Sequence, residues 1–552
     1  MAGNWFTRSH LYALGLCALL FVNARTSIAG ENDMESLRSL LEQQSKRIEE
    51  QTKQLEELRQ RLDAVANSSA GHISSADAMP QEDAVKKIVG DYLKETDKKK
   101  KEDEEKAKKK VEDEGFKVGS DLRMNVRWNP TNGVTFETPN KDFVSHIGYR
   151  FQLDNVYFTQ SDNIRAATQV GDLQDGIFFR RSRPSWDGTA WEVMEWNCEL
   201  ALEQVQNGVP NFDEAWVGLT KLPLIGTVRI GHNKVPQGFE GDQVSSSKAM
   251  TFLERASYTD AFYENFATGI WLGNSVLDQR ATWAFMAYRQ DNPRSNSGID
   301  FGDGEYGYTG RVTTLPLYEN EGRCLLHLGV SGTWRNNDRP DPGLADPRVA
   351  RFRARPEIRD AFGDFGNGVL PGNTVRWVDT GNFPSSSTGI VGTELFYVLG
   401  PFSAQAEYAW VFANSAVVGG NAVGTRSFDG GYVQLSYFLT GENRIYDRRL
   451  GRTGSTYISS PFTPFWTVRR EEGGLSWGPG AWEVAFRWSH LDLNSGAIRG
   501  GVEDGVEVGL NWYLNTNMKI QFEYLHNNRY SLRAGQVPGD LDALGIRTQF
   551  FF

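Results

Sequence analysis

Arg181 and Arg183 stand two residues apart in the stretch Phe179-Arg180-Arg181-Ser182-Arg183. In an extended strand that spacing puts both side chains on one face. A guanidinium stays charged at physiological pH, and its fork of N–H donors matches the oxygens of a carboxylate or phosphate. Farther along, Ser246-Ser247-Lys248 sets hydroxyl donors beside an ammonium. Groups of this kind lining a narrow passage favour anions, as Asp or Glu would favour cations. The chemistry on offer is reversible anion binding. Bond-making chemistry finds no footing: there is no Walker loop, no His-Glu-x-x-His and no Cys-x-x-Cys pair. The 7 histidines (His10, His72, His146, His232, His327, His490 and His526) are scattered, which suits structural roles better than a metal site. Asp360 and Asp364 are spaced too loosely for a calcium loop. No Ser/His/acid set shares a face. The expectation is a protein that is not an enzyme and needs neither cofactor nor metal.

The elements that carry these residues repeat with a period of two. Trp482, Val484, Phe486 and Trp488 alternate with Glu483, Ala485, Arg487 and Ser489. Val506, Val508, Leu510 and Trp512 alternate with Glu507, Gly509, Asn511 and Tyr513. Val433, Leu435 and Tyr437 interleave with Gln434 and Ser436, and Ile520, Phe522 and Tyr524 with Lys519, Gln521 and Glu523. Each segment shows one face to an apolar medium and the other to charge. A short turn, Leu514-Asn515-Thr516-Asn517, separates two of them, whereas 290–308 and 336–388 are long and polar. Short turns at one end and long loops at the other mark an outer-membrane barrel. The chain ends on Phe550-Phe551-Phe552 after an alternating strand, which resembles the signal by which such barrels are recognised for insertion. These aromatics and Tyr513 are expected in the interfacial girdle. Cys198 and Cys324 read as small buried apolar residues.

Composition agrees. The chain has 552 residues with 57 Gly, 32 Phe, 19 Tyr and 16 Trp. Only 3 Cys exclude a disulfide scaffold, and a net charge of −11 argues against nucleic acid as the partner. No apolar run reaches the length of a membrane helix. A soluble sandwich, solenoid or propeller is the alternative reading of the alternation, and the leader counts against it. Residues 11–22 are an apolar run followed by Ser27-Ile28-Ala29, so 1–29 reads as a secretory signal peptide. In 30–66, Leu41, Ile48, Leu55 and Leu62 repeat every seven, with Leu37, Gln44, Gln51, Leu58 and Val65 on the second seam. That is an α-helical coiled coil, and a helix of this size needs partners. Residues 67–114 are a linker and a charge-balanced spacer, and 115–552 form the barrel domain.

Several stretches resemble the phosphate-selective porin O and P family. Phe179-Arg180-Arg181-Ser182-Arg183 is similar to its FRRAR strand start, and Asp213-Glu214-Ala215-Trp216 to its KDAY strand. The run from Gly226 to Glu240 resembles GTLRVGQFKEPFGLE. Ser246-Ser247-Lys248 with Thr251-Phe252-Leu253-Glu254-Arg255 resembles TSSK followed by TFMER. Gly430-Gly431-Tyr432-Val433-Gln434-Leu435-Ser436-Tyr437-Phe438-Leu439-Thr440-Gly441-Glu442 is close to GxYVQxSYFLTGE. The resemblance implies a homotrimer of all-β transmembrane barrels, each of about 16 antiparallel strands. It also implies passive diffusion of small anionic or polar solutes through the outer membrane. By the same resemblance Arg180, Arg181, Ser247 and Lys248 belong to an anion site, with Glu214 at the acid of the KDAY strand. Arg180 conflicts with strict alternation. A loop around 236–262 is expected to fold inward and bring Ser246, Ser247 and Lys248 level with Arg181 and Arg183. Two other functions stay open: an envelope anchor acting through the periplasmic coiled coil, and a barrel-embedded enzyme.

Overall fold

The computed structural model describes residues 118–552 apart from 120, 130–132, 168–169, 207–208, 244–247, 291–305, 338–347, 362–374, 459–462 and 470–473. The signal segment, coiled coil and spacer expected within 1–114 lie outside the described residues.

The alternating segments become one antiparallel sheet. Its strands are β1 (Asn125–Asn129), β2 (Gly133–Glu137), β3 (Phe143–Gln160), β4 (Gly176–Ala190), β5 (Met194–Gln206) and β6 (Val209–Leu222). Then follow β7 (Gly226–Lys234), β8 (Phe266–Val276), β9 (Ala281–Arg289), β10 (Tyr306–Glu319), β11 (Cys324–Asn336) and β12 (Ser387–Leu399). The last are β13 (Phe402–Val418), β14 (Asn421–Phe438), β15 (Ala481–Ser495), β16 (Ile498–Tyr513), β17 (Met518–Leu532) and β18 (Gly539–Phe551). Neighbours in sequence pair with one another, and β18 pairs back onto β3 from Leu541↔Gln160 to Phe551↔Arg150. Strands β3 to β18 therefore close into a barrel of 16 strands. Closure leaves no unpaired edge, the condition for a sheet to stand in lipid.

The hairpin β1–β2 hangs from the foot of β3, where β2 pairs with Val144–Ile147. Phe552 fills the step between β2 and β18. It exchanges two backbone hydrogen bonds of 3.1 Å with Tyr149, and its ring lies 5.0 Å from that of Trp128. Gly133 sits beside it at φ +73, where a Cβ would come within 2.8 Å of the Phe552 ring.

Side-chain parity follows the alternation. Val484, Phe486, Trp488, Val508, Phe522 and Tyr524 are exposed on the outer face, while Glu483, Arg487, Ser489, Glu507, Asn511 and Glu523 are buried toward the lumen. Parity also corrects the girdle. Phe550 faces out, near the rim where Trp482 stacks on Trp512 at 5.0 Å. Tyr513 and Phe551 share the face of Asn511 and Gln549, so both point inward and pack with Phe438 and Ala481. Cys198 and Cys324 are half-buried rather than buried, and neither is in a disulfide.

Most connections at the C-terminal end of the barrel are short, such as 191–193, 223–225, 400–401 and 514–517. The opposite end carries 235–265 and 337–386. One connection departs from the expected division: 439–480, at the short-turn end, is long. Among the described residues, parts of these three long segments enter the lumen. The 235–265 loop is held along its backbone by the wall. Glu407 accepts the N–H groups of Phe239 (2.5 Å) and Glu240 (2.7 Å), and Glu523 that of Leu253 (2.6 Å). Lys519 donates to the Met250 carbonyl (2.9 Å), Asn511 and Gln521 to that of Thr251 (both 2.9 Å), and Arg487 to that of Glu254 (3.0 Å). A loop inside a barrel has no ladder to join, so wall side chains must satisfy its amides and carbonyls. The 337–386 loop joins it through Glu357, which accepts the Ser257 N–H at 2.7 Å, and is tied to the wall at Trp377, whose carbonyl accepts from Arg529 of β17 at 2.9 Å. From the other end, Arg444 of the 439–480 connection pairs with Glu483 and donates to the Ala249 carbonyl at 3.0 Å. Tyr446 bonds His327 at 2.6 Å, a structural use of a buried histidine.

Candidate anion site in the barrel lumen

The arginines of β4 face the lumen because of a bulge. The β3–β4 register runs Gln152↔Arg181 and then Leu153↔Phe179, which leaves Arg180 as the extra residue. A bulge sets two residues against one and lets successive side chains take the same side. Arg181 and Arg183 point inward at 4% exposure each, Phe179 points to lipid at 55%, and Arg180 turns inward to an acid of the 235–265 loop. The conflict between Arg180 and strict alternation is thereby removed. A second bulge in β6, where Glu199↔Glu214 is followed by Leu200↔Phe212, leaves Asp213 as the extra residue.

The three arginines differ in partners. Arg183 is surrounded by acids: Glu203 at 2.7 Å, Asp213, and Glu199 at 3.4 Å. Arg180 makes a two-pronged pair with Glu254, Nε to Oε1 at 2.6 Å and Nη2 to Oε2 at 2.8 Å. Arg181 has no direct carboxylate partner among the described residues. Its Nη1 donates to Gln152 at 2.7 Å, Gln152 donates to Gln549 at 2.5 Å, and the Arg181 Nε finds no acceptor. A buried guanidinium without a hydrogen-bonded carboxylate keeps a donor to offer an anion.

The other expected members are placed differently. Glu214 is bonded to Asn197 (2.8 Å) and Trp216 (3.0 Å) and lies 3.9 Å from the Lys234 ammonium. It is not the acid beside the arginines; Asp213 is, since the bulge turns that residue inward as well. Lys248 sits on the 235–265 loop 5.2 Å from the Phe551 ring. Burial first, then the charge of Arg150, brings its ammonium down to about 8, while Asp187 and Glu199 act the other way. That places Lys248 in the row of Phe551 and Arg150, whose register partner on β4 is Arg183, one inward-facing step from the row of Arg181. Ser246 and Ser247 lie outside the described residues.

Several members were not singled out beforehand. Arg150 pairs with Glu199 at 2.5 Å, and Arg547 makes a two-pronged pair with Asp154 at 2.6 and 2.7 Å. Alternation could have oriented Arg547, which shares a face with Gln549 and Phe551. Arg359 of the 337–386 loop reaches Glu254 at 3.5 Å. No local pattern announces a partner so distant in sequence.

Residues 151–552 match the family model described as phosphate-selective porin O and P. Porin O of Pseudomonas aeruginosa is 28% identical over 451 residues, which cover 79% of this chain and 93% of the relative. An uncharacterized protein of Caulobacter vibrioides is 30% identical over 366 residues, 64% of each chain. Among solved structures, an anion-selective porin from Comamonas acidovorans superposes with a TM-score of 0.40 at 12% identity, over 74% of this chain and 100% of the other. By the family match, which begins within β3 and takes in β4 to β18, the chain belongs to the phosphate-selective porin O and P family.

Proposed function

We propose that this outer-membrane porin, a passive channel, favours anions and that Arg181 is the centre of that preference. The observation that carries the reading is the contrast in pairing: Arg180 and Arg183 are matched by acids, whereas Arg181 is buried with one amide and an unused donor. An anion passing this level exchanges water for charge-assisted hydrogen bonds, each of about 1.5–3 kcal/mol to a charged group. Screening in a wet lumen leaves net binding of about 4 kcal/mol, a millimolar affinity. Weak binding suits conduction, since a tightly held ion blocks its own path. The overall negative charge does not oppose this, because the local field decides selectivity. Lys248 adds a second positive charge in the row of Phe551 and Arg150, and the resemblance gives Ser246 and Ser247 a share in the same anion site.

The wider assembly follows the same reading. Three protomers join, the coiled coil of 30–66 stands in the periplasm after removal of 1–29, and the barrel assembly machinery recognises the end at Phe552. Lipid covers the outer face.

Reversal potentials across a planar bilayer in a salt gradient test the site. The wild-type channel is expected to prefer chloride and phosphate over potassium. Arg181→Glu combined with Lys248→Glu should move it toward cations. An unmoved reversal potential places the filter elsewhere.

A further inference from the structure

Two segments meet inside the barrel from opposite ends. The 235–265 loop enters from the long-loop end. A small hairpin of the 439–480 connection, Arg444–Asp447 paired with Arg452–Ile458, enters from the short-turn end, which in such barrels is periplasmic. Arg444 is a point of contact between them and is buried at 3% exposure. Its Nη1 donates to the Ala249 carbonyl at 3.0 Å and its Nη2 to the Thr251 hydroxyl at 2.8 Å. Nη2 also pairs with Glu483 of β15, an acid that accepts from Asn511 (3.0 Å) and Tyr513 (2.7 Å) of β16. Wall, hairpin and loop are thus joined through one guanidinium. Two residues along, Tyr446 shares an apolar cluster with Phe239, Ala249 and Met250 of the loop. The rings of Phe239 and Tyr446 both pack on the wall, 4.9 and 5.5 Å from that of His327 and 5.1 and 6.4 Å from that of Phe396.

The far end of the hairpin is fixed to the wall. The Gly451 carbonyl accepts from Arg311 of β10 at 2.8 Å, and Arg448 donates to the Asp278 carbonyl in the turn after β8. Gly451 has φ +60, and a Cβ there would come within 2.6 Å of the hydroxyls of Thr282 on β9 and Thr313 on β10. Glycine takes that backbone conformation without steric cost and allows so close an approach. The hairpin therefore reaches from β15 to β9 and β10 and is held at both ends. Lys519, Asn511 and Gln521 hold the carbonyls of Met250 and Thr251 from the wall. The Ala249 carbonyl and the Thr251 hydroxyl are met from the hairpin instead.

We propose that this hairpin is a strut for the inward loop, and that Arg444 is the positioning residue through which the short-turn end sets the calibre of the pore. The role needs only the passive channel and not its preference for anions. The loop occupies part of the lumen, so a displaced loop changes which solutes fit, whatever their charge. A guanidinium suits the place because one planar group meets an acid and two further oxygens at fixed angles. A lysine ammonium keeps the charge and the bond to the acid but has no planar fork to hold the loop in register.

The test uses the full-length porin in planar bilayers and in liposomes that swell as neutral sugars enter. Uncharged sugars are read so that the charge lost with Arg444 does not itself alter the result. Arg444→Ala removes the charge-assisted bonds to Ala249 and Thr251, so excursions to a wider conductance level should become about tenfold more frequent. Entry of a trisaccharide relative to a monosaccharide should rise with them. Arg444→Lys should fall between Arg444→Ala and the wild type in both readings. Gly451→Ala loosens the hairpin at its far end and leaves Arg444 in place. It should shift both readings in the same direction, and it decides the matter should Arg444→Ala fail to assemble. A merely structural role would lower the unfolding temperature in detergent and leave the conductance steps and the sugar discrimination as in the wild type. That result in either variant overturns the proposal. The anion preference is read separately, from the reversal potential. A wild-type channel that prefers chloride, with sugar discrimination unmoved in the variants, keeps the preference and rejects the strut. A wild-type channel that prefers potassium, with discrimination relaxed in the variants, rejects the preference and keeps the strut.

Discussion

The lumen has two unlike walls built from the same residue types. On the β15–β18 side, Arg487, Glu507, Glu483 and Arg547 are wholly buried, because the 235–265 and 337–386 loops lie against them. On the β3–β7 side, Arg150, Asp213, Arg229, Glu195, Lys234 and Glu214 keep 13–20% of their side-chain surface. Both walls alternate apolar-out and charged-in. The first uses its charges to satisfy loop amides and carbonyls and becomes part of a solid interior. The second leaves these charges partly in reach of water, although Arg183, Glu199 and Glu203 on the same side keep 6% or less. Charge count along a barrel strand therefore says little about selectivity until the partner of each charge is known. Arg547 and Arg229 look alike in sequence, yet one is wholly buried against a loop and the other keeps 16% of its side-chain surface.

The largest effect is expected at the seam where the two walls meet. Phe550, Phe551 and Phe552 close β18 onto β3, and Phe552 exchanges backbone bonds with Tyr149. Deleting the three residues should abolish assembled barrel, read as loss of the heat-modifiable band from outer-membrane fractions. Normal insertion of the truncation would remove the seam and the terminal signal together from the account.

Next comes stability. Arg487→Ala strands Glu507 and Glu240 in the packed wall, whose ion pairs with Arg487 are 2.5 and 3.3 Å. Breaking a buried pair from one side costs about 3–5 kcal/mol. Lys234→Ala on the other side removes a longer contact, 3.9 Å from Glu214, between side chains that keep 20% and 13% of their surface, so a smaller loss is expected. The unfolding temperatures of the purified porins in detergent should order accordingly. Equal losses would mean that the walls do not differ.

The smallest effect is a pH dependence of the open side. Lys248, brought down to about 8, is charged below that pH and neutral above it. Anion preference should thus be full near pH 7 and decline as pH rises through about 8. Lys248→Arg should flatten the profile, because a guanidinium does not titrate there. A wild-type reversal potential that is constant from pH 7 to 9 would exclude Lys248 from the ion path.

The barrel was legible in the residue order because alternation is local. A strand between lipid and water must place every second side chain in each medium, and this marks Trp482 to Ser489 or Val506 to Tyr513 without knowledge of their neighbours. Orientation followed from the same parity, including the lumen placement of Arg181 and Arg183. The same parity, consistently applied, would have turned Tyr513 and Phe551 inward as well. Family motifs pointed to Arg180 and to the inward loop.

Other features depended on tertiary structure alone. A bulge inserts one residue and reverses the parity after it, and nothing in Phe179-Arg180-Arg181 or Phe212-Asp213-Glu214 distinguishes a bulge from regular strand. Only the register of β3 and β5 shows that Arg180 and Asp213 turn inward. The pairing of Glu254 with Arg180, Arg359 and Arg547 joins residues separated by as many as 293 positions. So does the entry of Arg444 from the short-turn end. Sequence by itself determined which side chains face water, because that is settled by each strand in its two media. The structure decided which of those charges are neutralised, because a charge finds its partner through space, after the loops have folded into the barrel.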